Sequence, residues 1–169
     1  SMVANLTLGK EKFKAEEHLM QEILQGAKTL QTELTALIEE DSQAYNKVTA
    51  VFAMPKATED QKAARKKALQ EALKYATHVP FTVMEKAAEA LRLHRKGMSH
   101  TNPSAASDTG VGALCLKTAL MGAHLNVKIN LGGITDKAFT AEYEKKAASL
   151  LEEGTALADN IYKHILDNL

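Results

Sequence analysis

The sequence predicts an all-α protein, a bundle of long antiparallel helices that forms one domain over residues 1–169. Its length and its 45% of hydrophobic residues suit the core of a single domain. Tryptophan is absent, aromatic residues make up 5%, and there are only three prolines and nine glycines. Helix-forming Ala, Leu, Lys and Glu dominate long stretches instead, and apolar residues recur there at steps of three and four.

The first helix is expected from about Phe13 to Met54. It ends there because Pro55 disfavours helical geometry in the residue before it. Its apolar residues follow a helical period and are expected to face the core. They are Leu19, Ile23, Ala27, Leu30, Leu34, Ile38, Tyr45, Val48 and Phe52.

The second and third helices are expected on either side of a break before Pro80. Thr58 is a predicted N-cap, with a glutamine three residues later at the capping-box position. The helix that it starts is expected to run to about Thr77. Pro80 suits the first turn of the next helix, which runs to about Lys96 and stops at Gly97.

Two more helices complete the predicted bundle. After a loop at 97–102, Asn102 caps the fourth helix with a proline at its first position, and this helix runs to about Asn130. A double glycine ends it, and Thr135 or Asp136 caps a last helix that runs nearly to the end of the chain. The apolar stripe of that helix is Phe139, Tyr143, Leu150, Leu157, Ile161 and Ile165.

Charge and cysteine content exclude several classes of function. Lys plus Arg and Asp plus Glu both number 21, so the formal charge is zero, which argues against nucleic-acid or anionic-membrane partners. No apolar run approaches the roughly 18–20 residues that span a bilayer. One cysteine excludes an internal disulfide, and no close histidine pair favours a metal site. Because no secretory leader is recognisable, we expect a cytoplasmic protein.

Asp41 breaks the pattern of the first helix. It lies between Ile38 and Tyr45, where the spacing requires an apolar residue. A carboxylate there loses hydration unless it is paired, hydrogen-bonded or faces a wet cavity. Three interpretations stay open: a structural Asp that holds a helix terminus or a cation, an exposed residue where the helix projects past the core, or a site residue.

The fourth helix carries a second unusual pattern, a face of small residues with polar residues at both ends. Such a face admits either a closely packed helix or a flat ligand. Ser107 and Asp108 lie in its first turn, where unpaired backbone N–H groups favour a carboxylate or an anionic ligand. The face consists of Asp108, Gly112, Cys115, Ala119, Gly122, Asn126 and Asn130.

Other conspicuous residues have ordinary structural interpretations. We expect Cys115 to be a small buried hydrophobe, and Tyr45 and Tyr143 to belong to the core. A basic run is expected to be a solvated helix face, with a weaker alternative as the receptor of an anionic tail. That run is Lys62, Arg65, Lys66 and Lys67.

Two segments, Asn102-Pro-Ser-Ala-Ala-Ser-Asp-Thr-Gly-Val111 and Asn126-Val-Lys-Ile-Asn130, resemble the signature of the formiminotransferase-cyclodeaminase C-terminal domain family. That family includes free-standing methenyltetrahydrofolate cyclohydrolases. Shorter fragments support the resemblance, which covers essentially the whole chain. They are Asp41-x-x-x-Tyr45, Met54-Pro-Lys56, Ala76-Thr-His-Val-Pro80, Leu8-Gly-Lys10 and Ile134-x-Asp136.

The resemblance implies an all-α, cyclodeaminase-like fold and a homodimer or higher homo-oligomer. It also implies a tetrahydrofolate substrate, with or without a polyglutamate tail, and no metal or further cofactor. Family members convert 5-formiminotetrahydrofolate to 5,10-methenyltetrahydrofolate and ammonia, or hydrolyse the methenyl compound to 10-formyltetrahydrofolate. The residues that carry over are Asp41, Lys56, Asn102, Ser107, Asp108, Asn126 and Asn130.

These residues fall into two predicted roles under the resemblance. Asp41 and Asp108 are the expected catalytic carboxylates, and the sequence leaves open which one moves protons and which one binds the pterin. Asn126 and Asn130 would pair with the heterocycle, and Lys56 would meet the carboxylates of the glutamate tail. Asn102 and Ser107 complete the substrate-binding set that the resemblance implies.

Two questions stay open on the sequence. Nothing in it separates the cyclodeaminase from the cyclohydrolase, and a non-catalytic helical interaction module is a third alternative. Family members usually begin with a glycine-rich segment and an alanine-rich helix. Only Ser1-Met2-Val3 stands where these would end, so the sequence leaves open whether both elements precede Ser1; if they are absent, part of the folate site is absent with them.

Overall fold

The computed structural model describes residues 1–169 as five α-helices and two short 3₁₀ helices, without strands. This confirms the predicted all-α class. No helix combines the length and the hydropathy that crossing a membrane demands. The α-helices are α1 Met2–Thr7, α2 Glu17–Phe52, α3 Glu59–Gly97, α4 Ala106–Leu131 and α5 Lys137–Asp167; the 3₁₀ helices are Glu11–Glu16 and Pro103–Ala105.

Ion pairs between neighbouring helices show that the long helices run antiparallel. Glu22 of α2 pairs with Lys96 of α3, and Glu33 pairs with Lys86 at 2.8 Å, so residue numbers rise on one helix as they fall on the other. Helices α4 and α5 are joined in the same sense by Lys117–Asp159 and Lys128–Glu144. The predicted antiparallel bundle is therefore confirmed.

The predicted break before Pro80 is wrong, because α3 is continuous from Glu59 to Gly97. Proline has no backbone N–H, so the carbonyl of Ala76, four residues earlier, loses its usual helical partner. The side chain of Asn130 on α4 replaces it, since its Nδ2 donates to the Ala76 oxygen at 2.7 Å. This contact from α4 thus lets α3 continue as a helix across Pro80.

This contact predicts a stability coupling between Asn130 and Pro80. Asn130→Ala should lower the free energy of unfolding by about 1–3 kcal/mol, because it leaves the Ala76 carbonyl unpaired. In a Pro80→Ala background the restored backbone N–H can satisfy that carbonyl, so the cost of Asn130→Ala should shrink. Urea unfolding of the four variants measures both costs. Equal costs in the two backgrounds would contradict this role.

The core-facing stripe of α2 differs from the predicted one. Helix α2 buries Met20 and four residues that are spaced by seven, namely Leu30, Leu37, Ala44 and Val51. Of the predicted positions, Leu30 belongs to this stripe, and Leu34 and Val48 are half-buried beside it. Tyr45 is 68% exposed, so its assignment to the core is wrong. The reason is that α2 packs on α3 along one narrow side only.

The main core lies between α3, α4 and α5. The predicted stripe of α5 is confirmed, and Tyr143 packs there against Phe139 with ring centroids 4.3 Å apart. Gly154 lets α4 and α5 pack closely, because a Cβ at that position would collide with the Leu120 side chain. Small residues thus let the helices approach each other, and α2 is left to pack on the outer side of α3.

A candidate ligand groove between α2 and α4

Helices α2 and α4 both pack on α3 and leave a groove between them. The groove contains two cavities of about 440 and 370 Å³, and Leu34 of α2 lines both. Its floor is one side of α3, where residues follow alternating steps of three and four. Pro80 and Val83 are the floor residues that line the larger cavity, and Ala90 and His94 line the smaller one.

Asp41 and Asn126 line the larger cavity from opposite walls. Asp41 extends from α2 and Asn126 from α4, with Pro80 on the floor between the helices. Both side chains are exposed, and neither makes a hydrogen bond or ion pair within the chain. Of the three interpretations of Asp41, a structural Asp that holds a helix terminus is therefore not observed, and an exposed residue and a site residue both stay open.

The small face of α4 lies only partly in the groove. Gly112 and Ala119 line its two cavities, as does Asn126 near the end of the helix. Gly122 and Cys115 are exposed on the neighbouring side of α4, so the expected burial of Cys115 is wrong. The physical reason is that no element of the same chain packs on that side.

Asp108 lies away from Asp41 within one chain. With Ser107 it is exposed in the first turn of α4, and neither side chain has a polar partner. The α4 residues that share the Asp41 cavity begin eleven positions later, at Ala119, which corresponds to about 16 Å along the helix axis. Within one chain, the two expected catalytic carboxylates therefore do not come together.

Two of the predicted substrate-binding amides hold backbone groups of the fold. Asn102 caps the 3₁₀ helix before α4 by accepting from the Ser104 N–H at 3.1 Å, and its Nδ2 donates to the Leu6 carbonyl at 3.2 Å. Asn130 holds the Ala76 carbonyl, as described above. Both amides thus have structural partners that account for them.

A basic cavity lies beyond the Asp41 end of the groove. It has a volume of about 300 Å³ and is lined by four cationic side chains together with Val51, Phe52 and Leu69. Its cations are Lys56, Lys62, Arg65 and Lys66. Arg65 is fixed by donating to the Val51 carbonyl at 3.1 Å, and Lys62 pairs with Glu59 at 2.7 Å. Lys56 and Lys66 carry the remaining positive charge of the cavity, which can bind an anionic group.

His94 is a groove residue that the sequence analysis missed. It lies on the floor of the smaller cavity, and its Nε2 is 2.8 Å from the place that a Cβ on Gly112 would take. Burial lowers the pKa of His94, and the nearby Ala90 carbonyl partly opposes this effect. The sequence carries a signal for this residue, because His94 is the one titratable residue on a stripe of α3 that is otherwise apolar.

The outer side of α4 carries an exposed apolar stripe. Leu125 is 70% exposed and Ile129 is 76% exposed, although α4 is apolar on nearly all sides. Helices of that composition are normally buried, and apolar patches of this kind mark interaction surfaces. The outer α4 stripe consists of Val111, Leu114, Met121, Leu125 and Ile129.

Comparison with known proteins gives one consistent family. A family model described as formiminotransferase-cyclodeaminase matches residues 1–149. A methenyltetrahydrofolate cyclohydrolase from Methylorubrum extorquens is 37% identical over 165 residues, 98% of this chain and 79% of that protein. A formimidoyltransferase-cyclodeaminase from Gallus gallus is 33% identical over 159 residues, which cover 92% of this chain but only 29% of that protein.

A solved structure agrees with the sequence relatives. The formiminotetrahydrofolate cyclodeaminase from Thermotoga maritima superposes with a TM-score of 0.77 and 29% identity. The match covers 97% of this chain and 76% of that structure. Fold, signature segments and relatives thus agree, and the chain belongs to the formiminotransferase-cyclodeaminase family.

Proposed function

We propose that this chain acts on a one-carbon tetrahydrofolate, and that it forms or opens the 5,10-methenyl bridge in the groove between α2 and α4. The observation that carries the proposal is the shared cavity of Asp41 and Asn126, where a carboxylate and a carboxamide without partners face each other across apolar walls. Ligand sites commonly combine such walls with a few convergent polar groups. The names of the relatives supply the substrate class.

In the deaminating direction, N10 of the folate attacks the carbon of the protonated formimino group (–CH=NH₂⁺) on N5. The new C–N10 bond forms, the bond to the exocyclic nitrogen breaks, and ammonia leaves. N10 loses one proton and the leaving nitrogen gains one, so a base and an acid are needed. Asp41 is our proposed proton carrier, and Asn126 would orient the heterocycle through its donor and acceptor. Holding N10 near the carbon supplies the remaining acceleration.

Hydrolysis is the second candidate, and the Methylorubrum relative, matched over 79% of its length, favours it. Water adds to the methenyl carbon, the C–N5 bond breaks, and 10-formyltetrahydrofolate forms. Asp41 would then take a proton from the attacking water. Neither direction changes an oxidation state, so we propose no redox cofactor, and the family resemblance implies no metal.

One spectroscopic experiment tests the proposed function and separates its two directions. The ultraviolet absorbance of methenyltetrahydrofolate is followed after the purified chain is added to either substrate. Appearance of the chromophore from 5-formiminotetrahydrofolate identifies the cyclodeaminase. Its loss from methenyltetrahydrofolate, faster than in protein-free buffer, identifies the cyclohydrolase. No change above buffer with either substrate contradicts the proposal and favours the interaction module.

A second copy of the chain is the partner that we propose for the outer α4 stripe. A two-fold axis near the middle of that helix would pair the stripe with itself, because such an interface uses the same patch on both copies. Antiparallel pairing would bring Asp108 and Ser107, at one end of the stripe, beside Asn126 of the other copy. The proposed site would then take Asp41 from one chain and Asp108 from the other.

The basic cavity is the proposed receptor of the substrate's glutamate tail. Val51, on its rim, lies ten residues beyond Asp41 on α2, or about 15 Å, which a tail of several γ-linked glutamates can bridge. Lys56→Ala should therefore raise KM for a triglutamate substrate about 3- to 10-fold, with a smaller effect on the monoglutamate. Lys10→Ala serves as a control. Equal KM changes for both substrates would exclude tail recognition by Lys56.

A further inference from the structure

The end of the groove farther from the basic cavity forms a pocket with mostly apolar walls. Its volume is about 370 Å³, and the absence of a side chain on Gly112 of α4 leaves room for the His94 ring. The polar side chains around it are those of His94, Gln31, Thr35 and Ser1. Leucines supply the remaining large side chains, namely Leu30, Leu34, Leu93 and Leu116. The shape and lining suit a flat ring with a polar edge.

The orientation of His94 defines what this polar edge must be. Nε2 is the ring atom closest to the place that a Cβ on Gly112 would take, so Nε2 lies toward α4 and Nδ1 lies toward α3, the helix that carries the Ala90 carbonyl. In a neutral ring the nitrogen that donates to a carbonyl carries the proton, and the other nitrogen is an acceptor. With Nδ1 protonated, Nε2 is an acceptor on the α4 side of the pocket, where it would select an N–H or O–H donor.

We propose that His94 binds the pterin of the substrate, with Nε2 accepting a hydrogen bond from an N–H on the pyrimidine edge. This inference rests on the proposed function and extends it to the orientation of the substrate. Gln31, which lines the pocket beside His94, is ten residues from Asp41 on α2, or about 15 Å. The side chains of Gln31 and Asp41 extend into this interval from its two ends. A pterin that packs on Leu34 between them would direct N5, and N10 on the adjoining link, toward Asp41.

Binding of 5-formyltetrahydrofolate, a one-carbon folate that neither reaction consumes, tests the proposal. His94→Leu should raise its Kd about 3- to 10-fold, the effect of one lost hydrogen bond. His94→Gln restores an acceptor and should stay within about twofold of the unchanged chain. His78→Leu is the matched control, because His78 lies on the other side of α3 beside Tyr143. Equal Kd values for the unchanged chain and His94→Leu would overturn the proposal.

Glycine variants and NMR test the same contact without removing the histidine. Gly112→Ala places a methyl 2.8 Å from Nε2 and should weaken folate binding at least as much as His94→Leu. Gly110→Ala meets only ordinary contacts at 3.4 Å with Ile165 and should bind normally. In the unchanged chain the ¹⁵N resonance of His94 Nε2 should shift on folate titration. Bound folate without that shift overturns the His94 role alone, whereas absence of folate binding overturns the proposed function as well.

Discussion

Asp41→Asn should lower kcat about 100-fold or more in whichever direction the chain catalyses, while the chain keeps its fold. The carboxylate is exposed and has no partner within the chain, so its loss leaves no buried group unsatisfied. The amide keeps the shape of the side chain but cannot accept the proton that the reaction releases. The absorbance assay measures kcat, and circular dichroism with urea unfolding checks the fold.

Glu39→Gln is the control for the Asp41 substitution. Glu39 lies two residues earlier on the same helix, points away from the groove and contacts only Gln43 at 3.1 Å. Its replacement should leave kcat within about twofold. If Asp41→Asn also stays within that range, Asp41 is not the proton carrier, and the proposed mechanism loses the group on which it depends.

Leu125→Glu should convert a dimer into a folded monomer with little or no activity. The side chain is 70% exposed in a single chain, so a charge there does not disturb the core. It would, however, be buried without a partner in the paired α4 stripes, which costs several kcal/mol per interface. Analytical ultracentrifugation measures the assembly, and Leu166→Glu, an equivalent change at an exposed residue of α5, is the control.

Mixing two inactive variants tests whether the second copy completes the site. Dimers of Asp41→Asn and of Asp108→Asn should each be inactive. After exchange of subunits, half of the dimers are mixed, and each mixed dimer holds one site with both carboxylates. About one quarter of the original activity should therefore return. No recovery in a mixture that demonstrably exchanges subunits would contradict a shared site, as would a fully active Leu125→Glu monomer.

Local sequence signals predicted most of the fold. The Thr58 capping box and the Asp136 N-cap are both present, because these contacts involve residues close in sequence. The break at Pro80 was the main error in the helix boundaries. The carbonyl that Pro80 leaves unpaired is satisfied by an amide from α4, and no local pattern identifies which distant side chain will do this.

The candidate site was predictable where a residue broke an otherwise apolar stripe. Asp41 was found in this way, and the same argument applied to α3 finds His94. The distance of Asp108 from Asp41 could not be predicted, because it depends on which side of α4 meets α3. The exposure of Cys115 has the same origin, since a helix that is apolar on nearly all sides gives no sign of its outward side.

A crystal structure of the chain with 5-formyltetrahydrofolate tests the central claim most directly. We predict that the pterin lies in the groove between α2 and α4, with its one-carbon substituent within hydrogen-bond reach of the Asp41 carboxylate. A folate bound with high occupancy elsewhere, while the groove holds only solvent, would contradict the account.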